Sequence, residues 1–248
     1  MKLALVLMVN NRDLPFLKLH VPVYRYSFDG LVCIGDPADG GEAMHYMESI
    51  GATIGFSKWK YDWGSFANKV FGLAEQLGYD AAMRMDPDEC LMPDAGWRIR
   101  KMLEAEASLL VFPRHEFWGD RYHVRGNVWP DDQARAWRLN RGIVVQGKKH
   151  EGVLFSAHGL AEDTTDPNCR VLRIRDPHLH IWHYCWSSKT AILNAMRKYQ
   201  SQAQVAMGQS PEVNFAPDQP LAFHPTIPFT TPQPLDPDTV GPYAPFDE

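Results

Sequence analysis

An apolar strand runs straight into three carboxylates at Met83-Arg84-Met85-Asp86-Pro87-Asp88-Glu89-Cys90-Leu91. Like charges this close in a partly dry cleft repel each other and raise each other's pKa. A divalent cation held between them relieves the repulsion. Oxygen ligation of this kind suits Mg²⁺ or Mn²⁺, which take few protein carboxylates and complete their shell with water and substrate phosphates. Asp86 and Asp88 are therefore candidate metal ligands, and the chemistry they point to is metal-assisted work on a phosphate-bearing substrate. The ordinary alternative is that Asp-Pro-Asp simply makes a turn.

A second group, His178, His180, His183 and Cys185, offers imidazole and thiolate donors of the zinc-binding type. On one strand, however, His178 and His180 point to one side while His183 and Cys185 point to the other, so the four do not converge. His183 is the member expected to complete a cation site opposite Asp88, against the alternative of a histidine hydrogen-bonded in or beside the core. A third group lies between Arg114 and His150, where eight Lys and Arg residues face four acids, leaving a local charge of +4. Trp118, Tyr122, Trp129 and Trp137 are interleaved with them. Aromatic faces stack on sugar rings or bases, and arginine pairs with phosphate.

The chain that must position these groups has 248 residues, 45% of them hydrophobic and 12% aromatic, enough to bury a substantial core. Its formal charge of −5 gives no global basic footprint for nucleic acid or anionic lipid. The four cysteines are widely spaced with no C-x-x-C pair, which argues against a disulfide framework and for a reducing cytoplasm. Leu3 to Val9 is too short for a membrane span, and no integral membrane segment is expected. There is no Gly-rich loop followed by Lys-Ser/Thr, which disfavours P-loop chemistry.

Hydrophobic patterning gives strands at Lys2 to Val9, Leu31 to Gly35, Ala52 to Phe56 and Ala81 to Met85. Between them lie a helix-like stretch from Leu14 that Pro22 interrupts, a turn from Asp36 to Gly41, and helices over about Glu42 to Ile50 and Ser65 to Leu77. Alternation of this kind predicts a parallel α/β sheet whose ligands gather at the carboxyl ends of its strands. Asp13, Asp36, Asp39, Asp86 and Asp88 all follow such ends. Later come a helix at Trp97 to Ala105, strands at Leu109 to Pro113, Gly142 to Gln146, Val171 to Ile174 and Leu179 to Tyr184, and a helix at Ser188 to Met207. From Gln209 onward the chain holds ten of its nineteen prolines and is expected to be extended.

Taken in order, the Asn-rich exit of the first strand, Ile34-Gly35-Asp36-Pro37-Ala38-Asp39-Gly40, Trp63 to Asn68, and Met85-Asp86-Pro87-Asp88-Glu89 resemble a family 2 glycosyltransferase of the GT-A fold. Trp129-Pro130-Asp131-Asp132-Gln133-Ala134-Arg135, His150-Glu151 and His183-Tyr184 are similar to the short bacterial group that includes lipopolysaccharide-core glucosyltransferases. Two features depart from the family pattern. The turn after the second strand lacks the usual Ser/Thr, and Arg84 occupies a strand position where an apolar residue is commoner.

The resemblance implies an α/β fold, a Rossmann-like mixed sheet flanked by helices, over residues 1–207, with a nucleotide-sugar half at 1–95, an acceptor half at 96–207 and a Pro-rich tail at 208–248. It also implies a metal-dependent inverting hexosyltransferase using a nucleotide-diphospho-sugar, expected to be UDP-linked, with Mn²⁺ or Mg²⁺ as cofactor. Asn11, Asp13, Asp36, Asp39 and Asn68 would then border the nucleoside, with Asp86 at the ribose and metal. Arg197 and Lys198 would clamp the diphosphate, and Asp86, Asp88 and His183 would hold the cation. An inverting transfer needs a general base near the acceptor hydroxyl. The candidates are Glu151, then Asp132, with Asp131 and His150 behind them; the ordinary role for Asp131-Asp132 is a helix N-terminus. Trp118, Arg121, Arg125, Trp129 and Arg135 would receive the acceptor. An anionic glycan such as a lipopolysaccharide core is the leading acceptor, with a modified base in DNA as runner-up. A catalytically inert nucleotide-sugar- or glycan-binding module is the alternative from another class. The setting expected is the cytoplasm, at the inner membrane face or in a phage-infected host.

Overall fold

The computed structural model describes residues 1–60, 62–105, 107–117, 123–125, 131–146, 152–155, 169–184 and 232–234. Strand β1 (Leu3–Val9) is buried along its whole length. Leu3, Leu5 and Leu7 enter one apolar layer and Ala4, Val6 and Met8 the other, so its unbroken hydrophobic run follows from burial on both faces. Around it lie β2 (Gly30–Gly35), β3 (Thr53–Phe56) and β4 (Ala81–Met85), all parallel, in the order β3-β2-β1-β4. Helices α1 (Leu14–Tyr24), α2 (Pro37–Ser49) and α4 (Ala95–Glu104) contribute to the first layer. Helix α3 (Trp63–Gln76) packs into the second.

Beyond β4 the sheet changes sense. Strand β5 (Glu89–Cys90) follows a tight turn, and β6 (Leu109–Glu116) lies two places away from β4. Between β4 and β6 sits β8 (Asp131–Arg138), antiparallel to both. Strands β11 (Val171–Arg173) and β12 (Ile181–His183) run parallel to β6, and β12 pairs antiparallel with β5. The result is a nine-stranded mixed sheet flanked by helices, the α/β class expected from the sequence. The sheet continues unbroken across the 95/96 boundary, because β4 pairs with β8. Two short ladders complete the described residues. Strand β9 (Ile143–Gln146) pairs with β10 (Gly152–Phe155), and β7 (His123–Arg125) pairs with β13 (Pro232–Pro234), a piece of the Pro-rich tail.

Several local expectations are corrected. The stretch from Asp36 to Gly41 is not a free turn but the start of α2. Asp36 caps the helix by accepting from the Ala38 amide, and Pro37 stands at its first position, where its missing N–H costs nothing. Gly40 lets the helix lie against the exit of β1, since a Cβ there would meet the Val9 carbonyl at 3.1 Å. Helix α1 runs through Pro22 to Tyr24 rather than stopping before it. Asp131 and Asp132 open a strand, not a helix. His178 lies in a short 3-10 turn, Pro177–Leu179, and the strand is Ile181–His183, shorter than the Leu179 to Tyr184 expected. The helix expected over Ser188 to Met207, which carries Arg197 and Lys198, lies outside the described residues, as do Trp118, Arg121, Trp129, His150, Glu151 and Cys185.

Candidate active site

Strand β4 ends in a reverse turn, Asp86-Pro87-Asp88-Glu89, with Pro87 at the position that favours its fixed φ. The Glu89 amide donates to the Asp86 carbonyl at 3.0 Å, and the Glu89 side chain accepts in return from the Asp86 amide at 3.0 Å. The turn therefore closes on itself from both ends. Pairing with β12 sets Glu89 opposite His183 and brings the end of β12 over the turn.

Arginines from three strands stand against the acidic turn. Arg135 from β8 donates to Asp86 at 2.9 Å and to Glu89 at 2.6 Å. Arg114 from β6 reaches Glu89 at 3.1 Å, Glu116 at 3.1 Å and Asp131 at 2.6 Å. Arg84 lies 4.0 Å from Asp86. Glu89 is fully buried and Arg135 very nearly so. Burial works against the charge on Arg114, yet Glu89, Asp131, Glu116 and Asp86 more than offset it and raise its pKa. Arg135 was expected on the acceptor surface. It is instead 1% exposed, committed to Asp86 and Glu89, because β8 is the inner strand between β4 and β6.

Asp88 is placed differently from Asp86. Its carboxylate faces His183 Nε2 at 3.5 Å, and His183 Nδ1 faces Glu116 at 3.6 Å. One imidazole thus stands between two carboxylates that come from the ends of β6 and β4. Glu116 was not singled out in the sequence, where it reads as one acid within a basic stretch. Among the described residues, no group of three or more His, Cys, Asp or Glu side chains gathers closely enough to hold a metal ion. Asp88 and His183 nevertheless form a two-donor pair, which fits an ion that takes its remaining ligands from water and phosphate. A nitrogen donor is poorly matched to hard, oxygen-seeking Mg²⁺, so Mn²⁺ suits this pair better.

Most of the remaining candidates in the described residues make local hydrogen bonds or ion pairs. Asp36 accepts from the Trp59 amide at 2.7 Å as well as from Ala38, and these two bonds hold its carboxyl below the usual range. Asp13 accepts from the Asn10 amide, closing a capping box at the exit of β1. Asn11 accepts from the Ala43 amide and so ties that exit to α2. Asp39 lies exposed in the first turn of α2. Asn68, expected at the nucleoside, instead grips β9, donating to the Val145 carbonyl at 2.7 Å and accepting from its amide at 2.9 Å. One turn earlier on α3, a Cβ on Gly64 would meet the Val145 carbonyl and Gln146 Cα at 3.0 Å, so glycine permits this close approach. Asp131 is held by Arg114 and Gln133, and Asp132 by Arg173 at 2.9 Å. Arg125 lies on β7, of which only the backbone is described.

His115 and His180 form a separate pair, with ring nitrogens 2.9 Å apart and His115 stacked on Trp182. Burial lowers both pKa values, that of His115 to about 3. Among the described residues Cys33, Cys90 and Cys169 are free thiols. No helix among the described residues is long and apolar enough to cross a membrane.

No protein-family model and no curated protein matches the chain. Solved structures similar to it include S. aureus TarS 1-349, at 8% identity and a TM-score of 0.46 over 82% of this chain and 66% of that one. The same TarS fragment in complex with UDP-GlcNAc is similar at 9% identity and a TM-score of 0.44, over 73% and 58%. A cytidylyltransferase from Leptospira borgpetersenii serovar Hardjo-bovis is similar at 10% identity and a TM-score of 0.38, over 56% and 61%. The chain thus spans less than two thirds of the length of each of these structures. Likeness of this degree carries no residue-by-residue correspondence.

Proposed function

We propose that the chain is a metal-dependent inverting glycosyltransferase that moves a sugar from a nucleotide-diphospho-sugar, UDP-linked by resemblance, to a hydroxyl of a glycan. The observation that carries this reading is the acidic turn at the carboxyl end of β4, with Asp88 facing His183 across it. In a parallel α/β half, that end of the sheet is where a ligand binds. Asp88 and His183 would hold Mn²⁺, and the ion would neutralise charge building on the departing diphosphate, stabilising the transition state more than the ground state. Asp86 acts through the arginines, keeping the turn in shape.

In the reaction, the acceptor oxygen forms a bond to the anomeric carbon as the bond from that carbon to the diphosphate oxygen breaks. The acceptor proton passes to a carboxylate, for which Glu151 remains the first choice. Asp131 and Asp132 are already engaged by Arg114 and Arg173 and are less available as bases.

The test is a mass-spectrometric screen of nucleotide sugars for Mn²⁺-dependent binding and hydrolysis, with Asp88→Asn alongside wild type. One donor should be bound and slowly hydrolysed by wild type, with hydrolysis lost in Asp88→Asn at unchanged thermal stability. Hydrolysis at full rate in chelator would remove the metal-dependent reading, and retention of no nucleotide sugar at all would remove the transferase reading.

A further inference from the structure

Helix α1 presents a buried histidine, His20, to the acidic turn. Its Nδ1 lies 3.2 Å from the Pro87 carbonyl. A carbonyl only accepts, so this contact fixes the tautomer: Nδ1 carries the hydrogen and donates it. Burial lowers the pKa of the ring to about 4, against the opposing pull of the Pro87 bond and the Asp88 charge, so the ring is neutral near pH 7. Its Nε2 is then a buried acceptor with no hydrogen-bond partner among the described residues. Phenylalanine would fill the same space without stranding a nitrogen. What histidine adds here is the bond to Pro87.

The ring also packs on Tyr184, with centroids 4.9 Å apart, and on Phe16 at 5.7 Å. The Tyr184 amide donates to the Asp88 carbonyl at 2.8 Å. Two successive carbonyls of the turn are therefore held, Pro87 by His20 and Asp88 by the residue against which His20 packs. Tyr184 directly follows His183, so the same contact links the turn to the histidine that Asp88 faces.

We infer that His20 is a positioning residue, whose Nδ1–H bond to the Pro87 carbonyl fixes the turn so that Asp88 faces His183. The use of that orientation in donor binding rests on the transferase reading above; the fixing of the turn does not.

The test is amide hydrogen exchange on the full chain as wild type, His20→Asn and His20→Phe. Asparagine superposes its Nδ2–H on the histidine Nδ1–H, whereas phenylalanine keeps a ring and removes the donor. The amides of Glu89 and Tyr184, which donate to Asp86 and Asp88, should exchange about ten-fold faster or more in His20→Phe and near the wild-type rate in His20→Asn. Affinity for UDP with Mn²⁺, measured by calorimetry, should fall in His20→Phe and return in His20→Asn. If the phenylalanine variant does not fold, His20→Gln, which moves its donor to the Nε2 position, takes its place. Unchanged exchange at both amides overturns the inference. So does an asparagine variant as fast as the phenylalanine one, or faster exchange with undiminished UDP affinity in a protein whose wild type binds UDP. A wild type that binds no nucleotide while the exchange pattern holds removes the transferase reading and leaves the role of His20 standing.

Discussion

Between about pH 7 and pH 5 the folded chain should lose stability through His20, by an amount that can be worked out in advance. In the unfolded chain the ring titrates near 6.5, and in the folded one near 4. Between these values the unfolded state binds a proton that the folded state refuses, so stability falls as pH drops through this window and the loss levels off below about 4. At about pH 5 the penalty is about 2 kcal/mol, out of about 3 kcal/mol at saturation. His20→Asn keeps the Pro87 bond and cannot titrate. Urea unfolding followed by tryptophan fluorescence at both pH values should therefore show the variant losing about 2 kcal/mol less than wild type on acidification. His115, also pushed down by burial, is common to both proteins and cancels in the difference. An equal loss in the two proteins would falsify the claim that His20 is buried in its neutral form.

Three further outcomes are expected. Arg135→Met leaves fully buried Glu89 with a weaker partner set and should destabilise by about 3–5 kcal/mol, as chemical denaturation would show. Asn68→Ala strands the Val145 amide and carbonyl and should cost about 1–3 kcal/mol, visible as faster hydrogen exchange in β9 with the β1 amides unaffected. Glu151→Gln should still bind the nucleotide donor but lose turnover, and a near-normal rate in that variant with a dead Asp132→Asn would move the base to Asp132.

The parallel half of the sheet was legible because β1 and β2 are uninterrupted apolar runs and β4 is broken only by Arg84, a pattern that burial on both faces explains. The capped start of α2 was misread because Asp-Pro followed by Gly-Gly has turn composition, and only the contact of Gly40 with β1 makes glycine useful inside that helix. The acidic turn was found, but its neutralising charges were not. Arg84, Arg114 and Arg135 sit on three separate strands, and no local spacing relates them. Arg84 does break the apolar character of a strand that proves to be interior, and it was noticed for that reason. His20 gave no signal at all, since a histidine on an apolar helix face looks the same whether or not a turn 67 residues away needs its hydrogen.

Because arginines pair with Asp86 and Glu89, the turn has neutralising charge of its own before any metal arrives. Folding and ion binding are then separate equilibria. An ion at Asp88 and His183 would add to stability only by mass action, with the logarithm of its concentration over its dissociation constant, and its removal would leave the scaffold standing. If an ion binds there, it would exchange for another without unfolding the scaffold, and the melting curve would rise with free metal only once its concentration exceeds the dissociation constant.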